Sequence, residues 1–98
     1  MTLEEATDKV KSLAENHQGK FNSTANLKFD EGVIHIDDTV SPVDISNEER
    51  AALCTLRMSI SDFSKMAEGN LNPMMAFMTG KMKIDGDKGV AMKLSSFF

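Results

Sequence analysis

The chain has 98 residues, 41% of them apolar, with 11 basic and 15 acidic side chains and a net charge of −4. That length predicts a single domain over 1–98 with an adequate but not generous core. The basic residues are dispersed among the acids and neither Trp nor Tyr is present, which argues against nucleic acid, a partner that needs clustered cations and stacking platforms.

Thr2 and Glu5 read as a capping box, and Leu3, Ala6, Val10, Leu13 and Ala14 follow at helical spacing, predicting a helix over 3–17 that stops before Gly19. The period then becomes two: Phe21, Ser23, Ala25, Leu27 and Phe29 alternate with polar residues as a half-buried strand. A turn at 30–32 leads to a second strand at 33–36, the two forming an antiparallel hairpin that Ser41-Pro42 ends. Residues 47–50 read as a polar loop or a short helical turn. Alternation returns over 52–60, with Ala52, Cys54, Leu56, Met58 and Ile60 on one face. Ser61 and Asp62 then read as the cap of a short helix carrying Phe63, Met66 and Ala67 and ending at Gly69. Asn72-Pro73 opens another helix, with Asn as cap and Pro at the first helical position. A strand over 81–85 and a terminal helix over 87–98 complete the chain. Hairpin-linked strands with helices added to one face predict an α+β architecture.

Seven of the eight methionines lie from Met58 onward. Methionine fills irregular space and adapts to different shapes, which suits either an irregular core or a flexible apolar cavity. The run Met74-Met75-Ala76-Phe77-Met78 encircles a helix axis with apolar side chains, since successive residues are about 100° apart. Such a turn is expected to be buried in the core, or to lie between the sheet and a second apolar body, a ligand or a partner chain.

The stretch Asn72-Pro73-x-x-Ala76-Phe77-Met78-x-Gly80-Lys81-x-Lys83-Ile84-x-Gly86-Asp87-x-Gly89-x-Ala91-Met92-Lys93-Leu94 resembles the C-terminal signature of the sterol carrier protein type 2 family. The resemblance covers essentially the whole chain in its order of elements. It implies a five-stranded, mostly antiparallel sheet covered on one face by helices, with an apolar tunnel between the layers; 43–45 would supply the fifth strand. It also implies a sterol, fatty acid, fatty acyl-CoA or phospholipid as ligand, bound without covalent chemistry. On that reading an acyl chain or sterol lies between a sheet face carrying Leu56, Met58 and Ile60 and helices bearing Phe63, Met66, Met74, Phe77 and Met78. Leu71, Met82, Ile84, Val90 and Leu94 extend the lining, and Lys81, Lys83 and Lys93 form a rim for anionic head groups. The alternative is an interaction or dimerisation module that uses the same apolar patch.

The chain ends Ser95-Ser96-Phe97-Phe98, which is not a peroxisomal address, and it starts without the basic and apolar regions of a signal peptide. With no run of ~18 apolar residues for a transmembrane helix, a cytoplasmic protein is expected, with transient membrane-surface contact and a homodimer left open. Phe97 and Phe98 are expected to fold back over the cavity or to meet a second subunit. The lone Cys54 excludes an internal disulfide and alternates with apolar residues as a small buried hydrophobe. His17 suits the negative end of the first helix. His35 faces away from the apolar side of its strand, with no companion at metal-ligand spacing, and a Cys54–His35 catalytic pair has no local support. The doublets Asp37-Asp38 and Glu48-Glu49 lack the loop grammar of a calcium site. Lys81, Lys83, Lys88 and Lys93 are the one local basic cluster, either a solvated face or the rim already described. No catalytic residue, metal or cofactor is therefore expected.

Overall fold

In the computed structural model, which describes residues 1–97, the first helix starts where the capping box places it. Thr2 N–H donates to Glu5 Oε1 at 3.0 Å and Glu5 N–H to Thr2 Oγ1 at 3.1 Å, opening α1 (Leu3–Asn16). Two antiparallel strands follow, β1 (Thr24–Phe29) and β2 (Gly32–Asp37), then β3 (Asp44–Ser46) and β4 (Cys54–Met58). Two short helices come next, α2 (Ile60–Ala67) and α3 (Pro73–Met78), and then β5 (Met82–Gly86) and α4 (Lys88–Ser95). The strands form one sheet in the order β3-β2-β1-β4-β5. β1 and β4 run parallel; the other three pairings are antiparallel.

Register explains the layering. Ala25 pairs with Ile36 and Cys54, and Leu27 with Ile34 and Leu56, so one row after another sends apolar side chains to the same face. On that face they join Ala6 and Val10 of α1, Ile60, Phe63 and Met66 of α2, Ala76 of α3, and Ala91 and Leu94 of α4 in one core. Phe29 and Phe63 meet edge-on, with centroids 5.6 Å apart. The opposite face carries Lys28, His35, Thr55, Arg57, Lys83 and Asp85, as the same pairing requires.

The parallel pairing needs a connection that crosses the sheet, and residues 47–53 run over its outer face. Asn26 Nδ2 donates to the Arg50 carbonyl at 2.7 Å, and Lys28 pairs with Glu49 at 2.8 Å. Beneath this strap Asn26 and His35 are each only 4% exposed, although they point away from the core. Because the Asn26 amide NH2 is used on Arg50, its oxygen accepts from His35 Nδ1–H at 2.7 Å, which sets the histidine tautomer.

Four expected boundaries shift. The strand expected from Phe21 starts at Thr24, because Asn22 takes a left-handed conformation (φ 47°) that turns the chain. The strand expected to reach Ile60 stops at Met58: Ser59 caps α2 by accepting the Asp62 N–H at 3.0 Å, so neither Ser61 nor Asp62 is the cap. The fifth strand is displaced by one residue to Asp44–Ser46. The terminal helix ends at Ser95, with Asp87 as its cap; Phe97 lies beyond it, and the expectation for Phe98 falls outside the described residues.

Candidate functional site

α3 forms as expected, with Asn72 Oδ1 accepting the Met74 N–H at 2.8 Å and Pro73 in the first turn. Its environment is different. Ala76 is buried and Phe77 half-buried, whereas Met74, Met75 and Met78 are 49%, 53% and 72% exposed. The helix packs against β5, the edge strand, so it neither sinks into the core nor roofs the middle of the sheet. One of the two expected solutions, burial within the core, is thereby overturned. An edge position gives a one-and-a-half-turn helix a single face to bury, and the small Ala76 takes it.

Apart from Leu94, the expected lining residues separate into three groups. Leu56, Phe63, Met66 and Met82 are at most 1% exposed, and Met58 and Ile60 join them in the core, filling the interval between β4, β5 and α2. Leu71, Phe77, Ile84 and Val90 pack on the margin of that core, while Met74 and Met78 face outward. The expected tunnel is therefore filled by side chains at this point, three of them methionines able to change shape.

An opening lies elsewhere, between α1 and α4. Val10, Leu13 and Ala14 of α1, Ile36 of β2, Val43 and Phe21 from loops, and Leu94 and Phe97 from the chain end surround an apolar cleft. Its volume is about 20 Å³, room for about one water molecule. Phe97 folds back as its mouth: the ring lies 4.9 Å from the His17 ring and 6.4 Å from Phe21, edge-on to the latter. His17 is fixed by Nδ1–H donating to the Leu13 carbonyl at 2.9 Å. The buried Asp38 carboxylate accepts the N–H groups of Gly19 and Asn22 at 2.9 and 2.8 Å, holding the turn that delivers Phe21 to the cleft. Of these residues only Leu94 belongs to the expected lining. The helical period marked Val10 and Leu13 as inward, but nothing local indicated that α1 and the chain end share a cleft.

The remaining candidates stand apart. Cys54 faces the core and His35 the outer side of the sheet, so they form no pair. Burial, with a smaller contribution from Asp87, pushes the Cys54 thiol from 9.0 to about 11. Asp37 is held by the hydroxyl and N–H of Thr39, Glu48 by Arg50, and Glu49 by Lys28, so neither acidic doublet converges on a site. Lys81 and Lys83 line a groove on the outer side with Lys28 and Arg57, whereas Lys93 lies on α4; the three lysines of the expected rim are not gathered at one mouth. Among the described residues no helix is long and apolar enough to cross a membrane, and no group of three or more His, Cys, Asp or Glu side chains could hold a metal ion.

This arrangement of sheet and helices has a counterpart. The family model of the SCP-2 sterol transfer family matches residues 2–98. The chain belongs to the SCP-2 sterol transfer family. Over 52 residues, 53% of its length, this SCP-2 domain is 44% identical to sterol carrier protein 2 of Homo sapiens. It spans about a tenth of that relative, since the match covers 10% of the human protein. The solution structure of the sterol carrier protein domain 2 of Helicoverpa armigera superposes with a TM-score of 0.78 at 24% identity, over 94% of this chain and 81% of that one. That of palmitated SCP2L2 from Aedes aegypti superposes with a TM-score of 0.74 at 20% identity, over 98% and 93%. These two likenesses establish the shared fold, an α+β domain with a five-stranded, mostly antiparallel sheet.

Proposed function

We propose that this SCP-2 domain is a lipid carrier that holds a fatty acid, fatty acyl-CoA, sterol or similar apolar ligand between its sheet and helices, by burial alone and without covalent chemistry. The observation that carries this reading is a family match over residues 2–98, on a two-layer fold whose interlayer includes the adaptable side chains of Met58, Met66 and Met82. The palmitated relative from Aedes aegypti shares the fold, which supports a fatty acid as the first ligand to try.

A pocket for a ligand of that size measures about 300 Å³ or more, far above the volume of the cleft between α1 and α4. Loading must therefore repack side chains. Phe97 sits at the entrance, beyond α4, and its ring can swing out by side-chain rotation while its N–H stays on the Leu94 carbonyl at 3.0 Å. Inside, methionines can change rotamer and follow the shape of the guest at little cost. A site built this way reads apolar volume more than chemical detail, so it accepts several lipid classes. The carrier acts as one domain over 1–98.

Native mass spectrometry with palmitate, an acyl-CoA and a sterol tests the proposal directly. One-to-one adducts are expected, together with a rise in Tm of about 10 °C or more at a hundredfold excess over Kd. The absence of both adduct and Tm shift for all three lipids would sink the carrier reading.

A further inference from the structure

We propose that the methionine stripe of α3, together with the cationic groove beside β5, docks the domain onto an anionic phospholipid surface. Met74, Met78 and Met75 fall within an arc of about 100° on the helix, and all three are about half exposed or more. The opposite arc carries Ala76, buried against the body. The stripe is therefore a single oily ridge that projects from the sheet edge.

Thr79 and Gly80 lead from this ridge straight to Lys81, where the groove begins. Lys28, Arg57, Lys81 and Lys83 line it, with Asp30, Met58, Ser59 and Gly80. Arg57 is engaged by Asp85 at 2.7 Å and Lys28 by Glu49 at 2.8 Å. Lys81 and Lys83 have no acid partner among the described residues. Two uncommitted cations beside an oily ridge are a local exception on a chain of net charge −4. The outward side of α1 shows the contrast, with Glu4, Glu5, Asp8 and Glu15 against Lys9 and Lys11.

A bilayer surface complements both halves of the patch: methionines enter the boundary between head groups and acyl chains, while lysines meet lipid phosphates and carboxylates. A second copy of the chain complements only the ridge, because an isologous contact presents the same cation-rich patch, and no anionic one, to Lys81 and Lys83. A small soluble anion complements only the groove. Docking needs no ligand inside the domain, so this proposal goes beyond the carrier reading and can fail while that reading stands.

The test is co-sedimentation with phosphatidylcholine vesicles, with and without phosphatidylserine, at low and high salt. Binding is expected on the phosphatidylserine vesicles at low salt and release at high salt. Lys81→Ala and Lys83→Ala should each weaken it about fivefold, and Met75→Ser/Met78→Ser should weaken it with the charge unchanged, whereas Lys9→Ala should not. All these positions are exposed, and circular dichroism checks that the variants fold. Equal binding to both vesicle types, or an equal loss on Lys9→Ala, would overturn the proposal. Tight groove binding of soluble glycerophosphoserine that the methionine variants leave untouched would also overturn it, as would a Met78-dependent dimer in light scattering without vesicles. Lipid adducts on the unmodified chain report on the carrier reading separately.

Discussion

Cys54 and His35 occupy the two faces of one sheet, and their surroundings fix opposite chemistries. Cys54, 1% exposed among apolar neighbours, is pushed up to about 11 by burial and by the Asp87 charge. At neutral pH it holds about a hundredth of the thiolate of a thiol at the ordinary 9.0. An aromatic disulfide reagent should therefore react at least about tenfold more slowly with the native chain than with the chain in denaturant; comparable rates would mean that Cys54 is not sealed in. His35 is buried by a different device, the strap of residues 47–53 over a polar face, and its partner is an amide rather than a carboxylate or thiol. The methionines show the same dependence on place. Met58, Met66 and Met82 sit inside and Met74, Met75 and Met78 outside, a division that residue type alone does not make.

At the scale of elements, side-chain caps set the starts of α1, α2, α3 and α4: Thr2, Ser59, Asn72 and Asp87 each accept a backbone N–H from the first turn. Two of these caps, Thr2 and Asn72, were legible in the sequence, and the helix after Asp87 starts one residue later than its period suggested. The cap at Ser59 was not, because Ile60 continues the two-residue alternation of β4 by chance of spacing, and only the turn of the chain at Ser59 separates strand from helix. The end of β5 is set by Gly86, which lies at φ +90° with the Leu53 carbonyl oxygen where a Cβ would stand. The next N–H, from Asp87, donates to that same oxygen at 2.8 Å. Gly86→Ala meets both the left-handed backbone and the contact, and should destabilise the fold by about 2–4 kcal/mol. Urea unfolding measures it; a loss under about 0.5 kcal/mol would show that the junction of β4, β5 and α4 is looser than this geometry.

For the molecule as a whole, three carboxylates, Glu5 and Glu49 exposed and Asp37 half-buried, couple stability to pH. Hydrogen bonds from Thr2 hold Glu5 below its ordinary value, those from Thr39 do the same for Asp37, and a hydrogen bond and charge from Lys28 do so for Glu49. A carboxyl group whose folded pKa is lowered binds fewer protons when folded than unfolded. Its contribution is complete above the unfolded value and is lost as pH falls through the folded one. Tm should therefore be nearly flat between about pH 5 and 8 and should fall below about pH 4. Thr39→Val, which removes one of the donors to Asp37, should make that fall shallower. A Tm that rises on acidification would contradict this coupling.

Periodicity, caps and turn residues are local properties, so the sequence by itself determined the helix–strand order, the apolar face of each strand and the α+β class. The signature from Asn72 to Leu94 carried the family and, with it, the fifth strand, which is too short at Asp44–Ser46 to announce itself. Tertiary structure alone decided where α3 sits, which methionines are wet, that residues 47–53 bury a polar face, and that Phe97 closes a cleft against His17 and Phe21. The physical reason is reach. A pattern of one residue in two or in 3.6 shows which side of an element is oily, but a cavity belongs to the space between elements that are far apart along the chain.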